Sequence, residues 1–405
     1  MKILSVNAGS SSLKFQMYEM PEEKVLISGV FERIGINGSC YTIKLNGEKV
    51  SKDAILNSHK DAVKILVEEL IANNIIADLN EIKGIGHRIV QGADKFESSV
   101  VINDEVLKTI SDLSSLAPLH NPAAVIGIEA FKEMIPNAVA VAVFDTSFHQ
   151  TMEEETYLYA LPYEWYTDYQ VRKYGAHGTS HKYVANRLSE ILNKKDSKVI
   201  VCHLGNGGSI TAVKNGKCVD TSMGFTPNAG LVMGTRCGDI DASIIPYMMQ
   251  KTNMTPQDID NAINKKSGLL GISGVSSDSR DIQDGIKEGN KRCLLADKMF
   301  VRRVVDYIAK YYVLLNGVDA IAFTAGIGEN SVTIRKQIVD KLSILGVELD
   351  EERNKISGKE QLITSDNSKI ACYIIPTDEE VMIARDTYNF IAWIEKVNSS
   401  FIMWN

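Results

Sequence analysis

Three segments of this chain combine glycine with small polar residues in the way that phosphate-binding loops do. Each follows an apolar run. The segments are VNAGSSSLK (6–14), HLGNGGS (203–209) and FTAGIGEN (323–330). Small residues let backbone N–H groups approach anionic oxygens, and Ser10, Ser12 and Lys14 add side-chain donors. A polar turn explains any one segment taken alone. The pattern of the first segment is repeated at 203–209, however, and this repetition favours phosphate binding.

The first segment fails both common phosphate-loop patterns. In a Walker A loop that begins at Gly9, the second glycine would fall at position 14, which is Lys14. The dinucleotide fingerprint also fails, because a strand pattern follows in place of a helix: Leu13, Phe15 and Met17 alternate with more polar residues. We therefore predict a strand–loop–strand hairpin.

Two arginines offer the charge that phosphoryl chemistry requires. Arg88 ends an apolar strand, and Arg236 lies among glycines in MGTRCGDID (233–241). The planar guanidinium matches carboxylate or phosphoryl oxygens two at a time. For either arginine taken alone, a structural ion pair is the simpler explanation.

Acidic residues follow two of the apolar runs. Asp145 ends the run at 138–145, and the carboxyl end of a buried strand is where α/β proteins keep their chemistry. PTDEE (376–380) follows the last apolar run, and an acidic group there can hold Mg²⁺ directly or through water. The alternative is a helix N-terminus, whose dipole favours negative charge.

The histidines do not predict a zinc site. His177 and His181 are four residues apart, but no glutamate follows the first and no third ligand is near. His120 precedes a helix on a proline-bounded loop, so a capping or packing role would explain it. Arg280 lies in a polar turn, SSDSRD (276–281), which could equally be a helix cap.

The elements that position these residues alternate between strand-like and helix-like runs, which predicts α/β architecture. A chain of 405 residues favours two domains. The strand–loop–strand device at 3–18 and its copy at 199–214 suggest a duplicated domain. The net charge of −7 argues against nucleic acid or an anionic membrane as a partner. Scattered cysteines and the lack of a long apolar stretch predict a cytoplasmic protein without disulfides.

Together these segments closely resemble the acetokinase family, within the superfamily of acetate and sugar kinases, heat-shock chaperones and actin. The resemblance covers essentially the whole chain. Further strings that carry it are HR (87–88), LAPLHNP (116–122), VFDTSFHQTM (143–152) and YGAHGTSH (174–181).

The resemblance implies a two-domain actin-like ATPase fold (ribonuclease H-like) with a duplicated core and the active site in the interdomain cleft. It implies an N-terminal acyl-substrate domain at 1–150, completed by 385–405, and a nucleotide-binding domain at 151–384. The implied reaction is ATP + acetate ⇌ ADP + acetyl phosphate, dependent on Mg²⁺ with Mn²⁺ able to substitute, in a homodimer.

The resemblance also implies roles for single residues. Arg88 and Arg236 would hold acetate and the moving phosphoryl group, His177 would hydrogen-bond that group, and Asp145 would orient the carboxylate substrate or an arginine. Asn7 and Glu379 would position Mg²⁺. Contacts to the acyl substrate are implied for Arg88, Val90, Leu119, His120, Ala176 and Pro227. Contacts to the nucleotide are implied for Lys14, His203, Leu204, Gly205, Asn206, Gly207, Asp278, Ser279, Arg280, Gly326, Ile327, Gly328, Glu329 and Asn330.

This sequence departs from the family pattern at two positions. Gln91 stands where the family often has a histidine, so that position is given no role. Ala176 stands where phenylalanine is common, and a smaller side chain could enlarge the acyl pocket, so we expect propionate to be tolerated. The alternatives are a propionate or butyrate kinase of the same fold, or a nucleotide-driven binding protein, which would lack the paired arginines.

Overall fold

The computed structural model describes residues 1–118 and 120–402 and divides into two compact units. Unit 1 comprises Met1–Ser147 together with the chain from Asp378 onward, and unit 2 comprises Phe148–Thr377. Leu119, a predicted acyl-pocket residue, lies outside the described residues. None of the helices that the structure describes is long and apolar enough to cross a membrane.

Unit 1 is built on one mixed sheet. Its strands are β1 Lys2–Gly9, β2 Ser12–Glu19, β3 Lys24–Glu32, β4 Cys40–Leu45, β5 Glu48–Asp53, β6 Ile82–Ile89, β7 Val100–Val101 and β8 Val139–Phe144. They are ordered β5-β4-β3-β2-β1-β6-β8-β7. Its first helices are α1 His59–Ala72, α2 Asp104–Asp112 and α3 Asn121–Met134. Apolar residues of α1 and α3 pack against β1–β4 and β6 to form the core of this unit.

Unit 2 is built on a second mixed sheet. Its strands are β9 Lys198–Leu204, β10 Gly208–Lys214, β11 Lys217–Thr221, β12 Ala320–Thr324, β13 Gln361–Leu362 and β14 Ala371–Ile374. They are ordered β11-β10-β9-β12-β14-β13. Its helices are α4 Glu154–Tyr157, α5 Glu164–Tyr169, α6 Gly178–Ile191, α7 Ile244–Thr252, α8 Pro256–Lys265, α9 Gly268–Ser273, α10 Ser279–Lys287, α11 Lys291–Leu314, α12 Ala325–Asn330 and α13 Val332–Lys341. The core lies between the sheet and α11 and α13 on one face and under α6 on the other.

The chain returns to unit 1 with the long helix α14 (Glu379–Ile402). Gly84 and Gly86 of β6 make room for this helix, because a Cβ at either position would collide with side chains of α14 such as Ile383 and Thr387. This close approach fixes the first turn of α14 beside the end of β6. Short 3₁₀ helices cover Leu79–Glu81, Leu113–Ser115, Ser147–Thr151, Ser343–Leu345 and Arg353–Lys355.

The two sheets repeat one topology, which confirms the predicted duplication. In unit 1, β1 pairs antiparallel with β2 and parallel with β6, which pairs parallel with β8. In unit 2, β9 pairs antiparallel with β10 and parallel with β12, which pairs parallel with β14. The predicted hairpin at 6–14 is also confirmed, since Asn7 lies opposite Lys14 and Gly9 opposite Ser12.

Candidate active site

The carboxyl ends of the parallel strands in unit 1 bring Arg88 and Asp145 together. Arg88 is the penultimate residue of β6, and Asp145 directly follows the neighbouring strand β8. Arg88 Nε donates to Asp145 Oδ1 at 3.0 Å, and Nη2 donates to Oδ2 at 2.7 Å. Glu379, in the first turn of α14, places its Oε2 3.4 Å from Arg88 Nη2. The guanidinium is therefore gripped by two carboxylates, one of them bidentate.

Burial and charge shape the ionisation of this cluster. Burial alone would lower the pKa of Arg88, but the charges of Asp145 and Glu379 outweigh burial and raise it. Burial raises the pKa of Glu379, and Arg88 offsets only part of that rise. The cluster thus holds a permanent guanidinium cation and a carboxylate that favours its protonated form more than usual.

The first phosphate-type loop lies at the edge of this cluster. Asn7 and Lys14 are direct partners across the β1–β2 hairpin, whose turn is Ser10 and Ser11. Lys14 Nζ lies 3.5 Å from Glu380 Oε1 and remains well exposed. The hairpin thus reaches the first turn of α14, the segment that carries Glu379.

Unit 1 offers oxygen ligands for a hard cation, though no preformed cage. No group of three or more His, Cys, Asp or Glu residues suited to a metal occurs within residues 1–118 and 120–402. Asn7 and Glu379 contribute an amide oxygen and a carboxylate, the ligand type that Mg²⁺ prefers. Because Mg²⁺ usually takes one or two protein ligands and completes its shell with water and substrate phosphates, these residues fit that ion.

In unit 2 a second arginine lies against the second phosphate-type loop. Arg236 Nη1 donates to the carbonyl oxygen of Pro227 at 2.5 Å. A Cβ at Gly207 would collide with the Arg236 guanidinium and lie 3.8 Å from His177 Cε1. A side chain at position 207 would therefore displace the Arg236 guanidinium from its place beside the loop. Burial lowers the pKa of Arg236.

A group of histidines lies behind this loop. His177 and His203 stack with their ring centroids 4.2 Å apart. Nδ1 of His177 lies 2.8 Å from Ser209 Oγ, and Nε2 of His181 lies 2.7 Å from the same oxygen. His177 immediately precedes α6 with a left-handed φ of 58°, an uncommon conformation outside glycine.

The predicted nucleotide segments gather at the same edge of the second sheet. Thr324, at the end of β12, lies opposite His203 of β9, so the loops at 204–207 and 325–330 are neighbours. The carbonyl oxygen of Asn206 accepts from Gly234 N at 2.8 Å. Glu329 Oε1 accepts from the backbone N–H groups of Ala325 and Thr377. The glycine loops are therefore held together at the carboxyl ends of β9 and β12, where backbone N–H groups can bind phosphates.

Asp278 and Arg280 form a helix cap, which is the simpler of the two roles considered for SSDSRD (276–281). Asp278 caps α10 by accepting from the backbone N–H of Arg280. The Arg280 side chain folds back onto the Asp278 carboxylate with Nη2 at 2.6 Å, and this lowers the pKa of Asp278 to about 2. The segment is nevertheless adjacent to the loops above, since Ser277 O would lie 3.0 Å from a Cβ at Gly234.

The predicted acyl-pocket residues divide between the two units. Val90 directly follows β6 and is half-buried, and His120 immediately precedes α3 and is exposed. Ala176 is buried beside His177, and Pro227 holds Arg236 through its carbonyl. Val90, Ala176 and Pro227 therefore each lie close, along the chain or in space, to a predicted catalytic residue of their own unit.

Sequence reasoning missed two supporting residues. His149 Nε2 donates to the carbonyl oxygen of Ala176 at 2.9 Å, and its Nδ1 lies 3.2 Å from Cys218 Sγ. Ser209 joins two histidines, as described above. Both residues lie inside the quoted strings VFDTSFHQTM and HLGNGGS, but their role depends on contacts between distant parts of the chain, which the strings do not contain.

The duplicated sheets, each with an arginine at its carboxyl edge beside a glycine loop, define a kinase-like member of the actin-type ATPase fold. Comparison with solved structures agrees. Acetate kinase from Porphyromonas gingivalis matches with a TM-score of 0.92 at 43% identity, over 96% of this chain and 99% of that one. A propionate kinase from Francisella tularensis matches with a TM-score of 0.90 at 44% identity, over the same shares. The predicted fold is confirmed.

The family follows from the sequence comparisons. The acetokinase family model matches residues 2–385. Acetate kinase of Bacillus subtilis is 57% identical over 387 residues, covering 95% of this chain and 98% of the relative. This chain belongs to the acetokinase family and is a kinase, as its sequence predicted. Kinases of this family use ATP as a substrate.

Proposed function

We propose that this enzyme transfers the γ-phosphoryl group of ATP reversibly to acetate, giving acetyl phosphate and ADP, with the residues described above. The observation that carries the assignment of residues is the pair of arginines, one at the carboxyl edge of each duplicated sheet. Acetate and ATP are both anions, and bringing them together requires fixed positive charge. Arg88 and Arg236 supply it, and the chaperone-like alternative has no use for such a pair.

The transfer proceeds directly and in line. An acetate oxygen attacks the γ-phosphorus as the bond to the bridging oxygen of ADP breaks, so that no covalent enzyme intermediate forms. Acetate is already ionised near neutral pH, and therefore no general base is needed. Alignment and charge neutralisation supply most of the rate enhancement of such reactions. Arg88 and Arg236 hold the reacting groups, and His177 donates a hydrogen bond to the moving phosphoryl group.

Asp145 acts on Arg88 in this proposal. A carboxylate at this point could orient either the substrate or an arginine, and the hydrogen bonds from the Arg88 guanidinium support the arginine as its partner. Asn7 and Glu379 would hold Mg²⁺, or Mn²⁺ in its place, and the ion would supply charge neutralisation at the phosphates. Ser10, Ser12 and Lys14 shape the same side of the site. The nucleotide is contacted by the three predicted segments at 203–207, 278–280 and 326–330.

Acetate and propionate are both candidate substrates. The two solved structures above carry the names of kinases for different acids, yet they match this chain almost equally well. The fold therefore does not discriminate between them. Ala176, which replaces a larger side chain common in the family, supports a pocket that also accepts propionate.

The enzyme also works as a homodimer in this proposal, with neither nucleic acid nor a membrane as partner. The segment at 161–169 exposes Leu161, Tyr163, Trp165 and Tyr169 in unit 2, a concentration of apolar surface that a second copy would bury. Light scattering should give twice the chain mass, and Trp165→Glu should shift the mass toward that of one chain. The net charge of −7 supports the absence of a nucleic-acid or anionic-membrane partner. The six free thiols support a reducing, cytoplasmic setting.

A hydroxamate assay tests the reaction directly. With ATP, Mg²⁺ and acetate, an acyl phosphate should accumulate that hydroxylamine traps as a coloured hydroxamate, and omission of ATP or acetate should abolish it. Formation of no hydroxamate from acetate, propionate or butyrate would favour a nucleotide-driven binding protein.

A further inference from the structure

Ser209 lies between two histidines and has one proton to give. Its side chain is fully buried, and its oxygen contacts Nδ1 of His177 at 2.8 Å and Nε2 of His181 at 2.7 Å. A hydroxyl donates one hydrogen bond and accepts others, and a neutral imidazole has one donor nitrogen and one acceptor nitrogen. The contacts of Ser209 therefore couple the proton positions of both rings.

The second ring nitrogen of His181, Nδ1, determines which placement of the hydrogen-bond protons is possible. His181 is fully buried, and its Nδ1 has no hydrogen-bond partner in the part of the chain that the structure describes. If Ser209 donated to His181, the proton of His181 would have to lie on this Nδ1, as a buried N–H group without an acceptor. Such orphaned donors are rare in proteins. If both histidines donated to Ser209, its own hydroxyl proton would lack an acceptor.

One arrangement avoids every orphaned donor. His181 Nε2–H donates to Ser209, and the Ser209 hydroxyl donates to Nδ1 of His177. His177 then carries its proton on Nε2. Burial lowers the pKa of His181 well below its usual range, which keeps this ring neutral and suits it to the single-donor role.

His149 supports the same residue from another side. Its Nε2 must donate to the carbonyl of Ala176, because a carbonyl oxygen only accepts, so its Nδ1 accepts from the Cys218 thiol. This contact fixes the peptide that leads into the left-handed backbone of His177. The backbone and the ring of His177 are thus held by different histidines, the backbone by His149 and the ring by His181 through Ser209.

We infer that Ser209 and His181 are positioning residues that set the tautomer of His177, so that its Nε2–H is a permanent donor to the transferred phosphoryl group. The inference rests on the proposed function, in which His177 contacts that group. With the other tautomer, Nε2 would present a lone pair to an anionic oxygen and repel it. The relay thus makes a neutral histidine a hydrogen-bond donor without requiring it to be charged.

A double-mutant cycle tests the relay. Ser209→Ala should lower kcat about tenfold or more, less than the roughly 10²–10³-fold that loss of a whole donor produces, while KM for ATP and acetate stays within about twofold. In the His177→Gln background the same change should leave kcat unaltered, because an amide N–H donates without a tautomer to set. Equal losses in both backgrounds would assign Ser209 a merely structural role and overturn the inference.

Two further comparisons keep the test decisive. Ser222→Ala removes another buried hydroxyl of unit 2, one that accepts from Ile210 N, and should lower the melting temperature without lowering kcat. His181→Gln keeps a donor near the position of Nε2 and should retain kcat. His181→Leu removes that donor and should be as slow as Ser209→Ala. A wild-type kcat in His181→Leu would contradict the relay. A wild-type enzyme that forms no acyl phosphate would instead overturn the proposed function.

Discussion

The two arginines occupy equivalent edges of the duplicated sheets but have opposite electrostatic surroundings. Arg88 is held by two carboxylates, Asp145 and Glu379. Arg236 is held by the carbonyl of Pro227, and no described carboxylate of unit 2 lies within ion-pair distance of it. A buried charge without a counter-ion destabilises the fold and attracts an anion. The comparison indicates that Asp145 and Glu379 hold Arg88 in place before substrate binds. Arg236, in contrast, carries a charge that only a bound anion compensates.

Removal of each arginine should give the largest effects and should separate the two roles. Arg88→Ala and Arg236→Ala should each lower kcat about 10³-fold, because each removes a charge that the transition state requires. Arg88→Ala also removes the cation that Asp145 and Glu379 share, so its melting temperature should fall. Arg236→Ala removes a partly buried charge that has no counter-ion among the described residues of unit 2, so its melting temperature should stay level or rise. The hydroxamate assay and thermal melts provide both measurements.

Two outcomes would break this comparison. Near-normal kinetics in both variants would refute their catalytic assignment. Equal losses of stability would show that Arg236 is as strongly paired in solution as Arg88.

Substitution of Glu379 should lower the activity of the enzyme but raise its stability at high pH. Glu379→Gln removes a proposed Mg²⁺ ligand and should lower kcat roughly 10²-fold. Because burial raises the folded-state pKa of Glu379 above its unfolded value, wild-type stability is lost as pH rises through that folded pKa. The variant avoids this loss, so its melting temperature should exceed that of the wild type at pH 8, and the two should converge as pH falls.

Glu380→Gln is the matched control for that prediction. Glu380 is the next residue in the same helical turn, but its partner is the exposed Lys14 at 3.5 Å. Exposed ion pairs contribute little, so both rate and melting temperature should change only slightly. A Glu379→Gln variant that is less stable than the wild type at every pH would show that its attraction to Arg88 exceeds the penalty of burial.

Asp145→Asn should have a smaller effect than loss of Arg88 itself. The amide retains the shape of the carboxylate but turns an N–H group toward a guanidinium that needs acceptors, so Arg88 should lose its alignment. Loss of an orienting partner typically lowers activity about 10–100-fold. If Asp145 contacts only the arginine, the ratio of kcat/KM for acetate to that for propionate should remain that of the wild type. A changed ratio would point to direct contact with the acyl substrate.

The sequence predicted the hairpins and the duplicated sheets because both depend on local patterns. The alternation after Gly9 and the copy at 199–214 needed no long-range information. The alternative given for PTDEE (376–380), a helix N-terminus, agrees with the start of α14 at Glu379, but its ion pair with Arg88 depends on tertiary packing. Strand β5 has no comparable local pattern, because all its residues are exposed and its sequence, EKVSKD, lacks an apolar face.

The candidate site was predictable in its residues but not in its contacts. Arg88, Asp145 and Glu379 each stood out by type and position, yet their ion pairs depend on β6, β8 and α14 meeting at one point. Ser209 offered no signal beyond its place in a glycine loop. Its interest arises because His177 and His181, separated by one helical turn, both point at the same buried oxygen.

Ala176 should produce the smallest effect, on the choice of acid. One methylene in an apolar pocket is worth only about 1–3 kcal/mol, so the wild type should use propionate with kcat/KM within about tenfold of acetate. Ala176→Val should lower kcat/KM for propionate relative to kcat/KM for acetate, while Ala176→Gly should not. The ratio between the two acids is the informative quantity, because a bulkier residue beside His177 could slow both reactions. A steep fall already at propionate in the wild type would show that the space left by Ala176 does not belong to the acyl pocket.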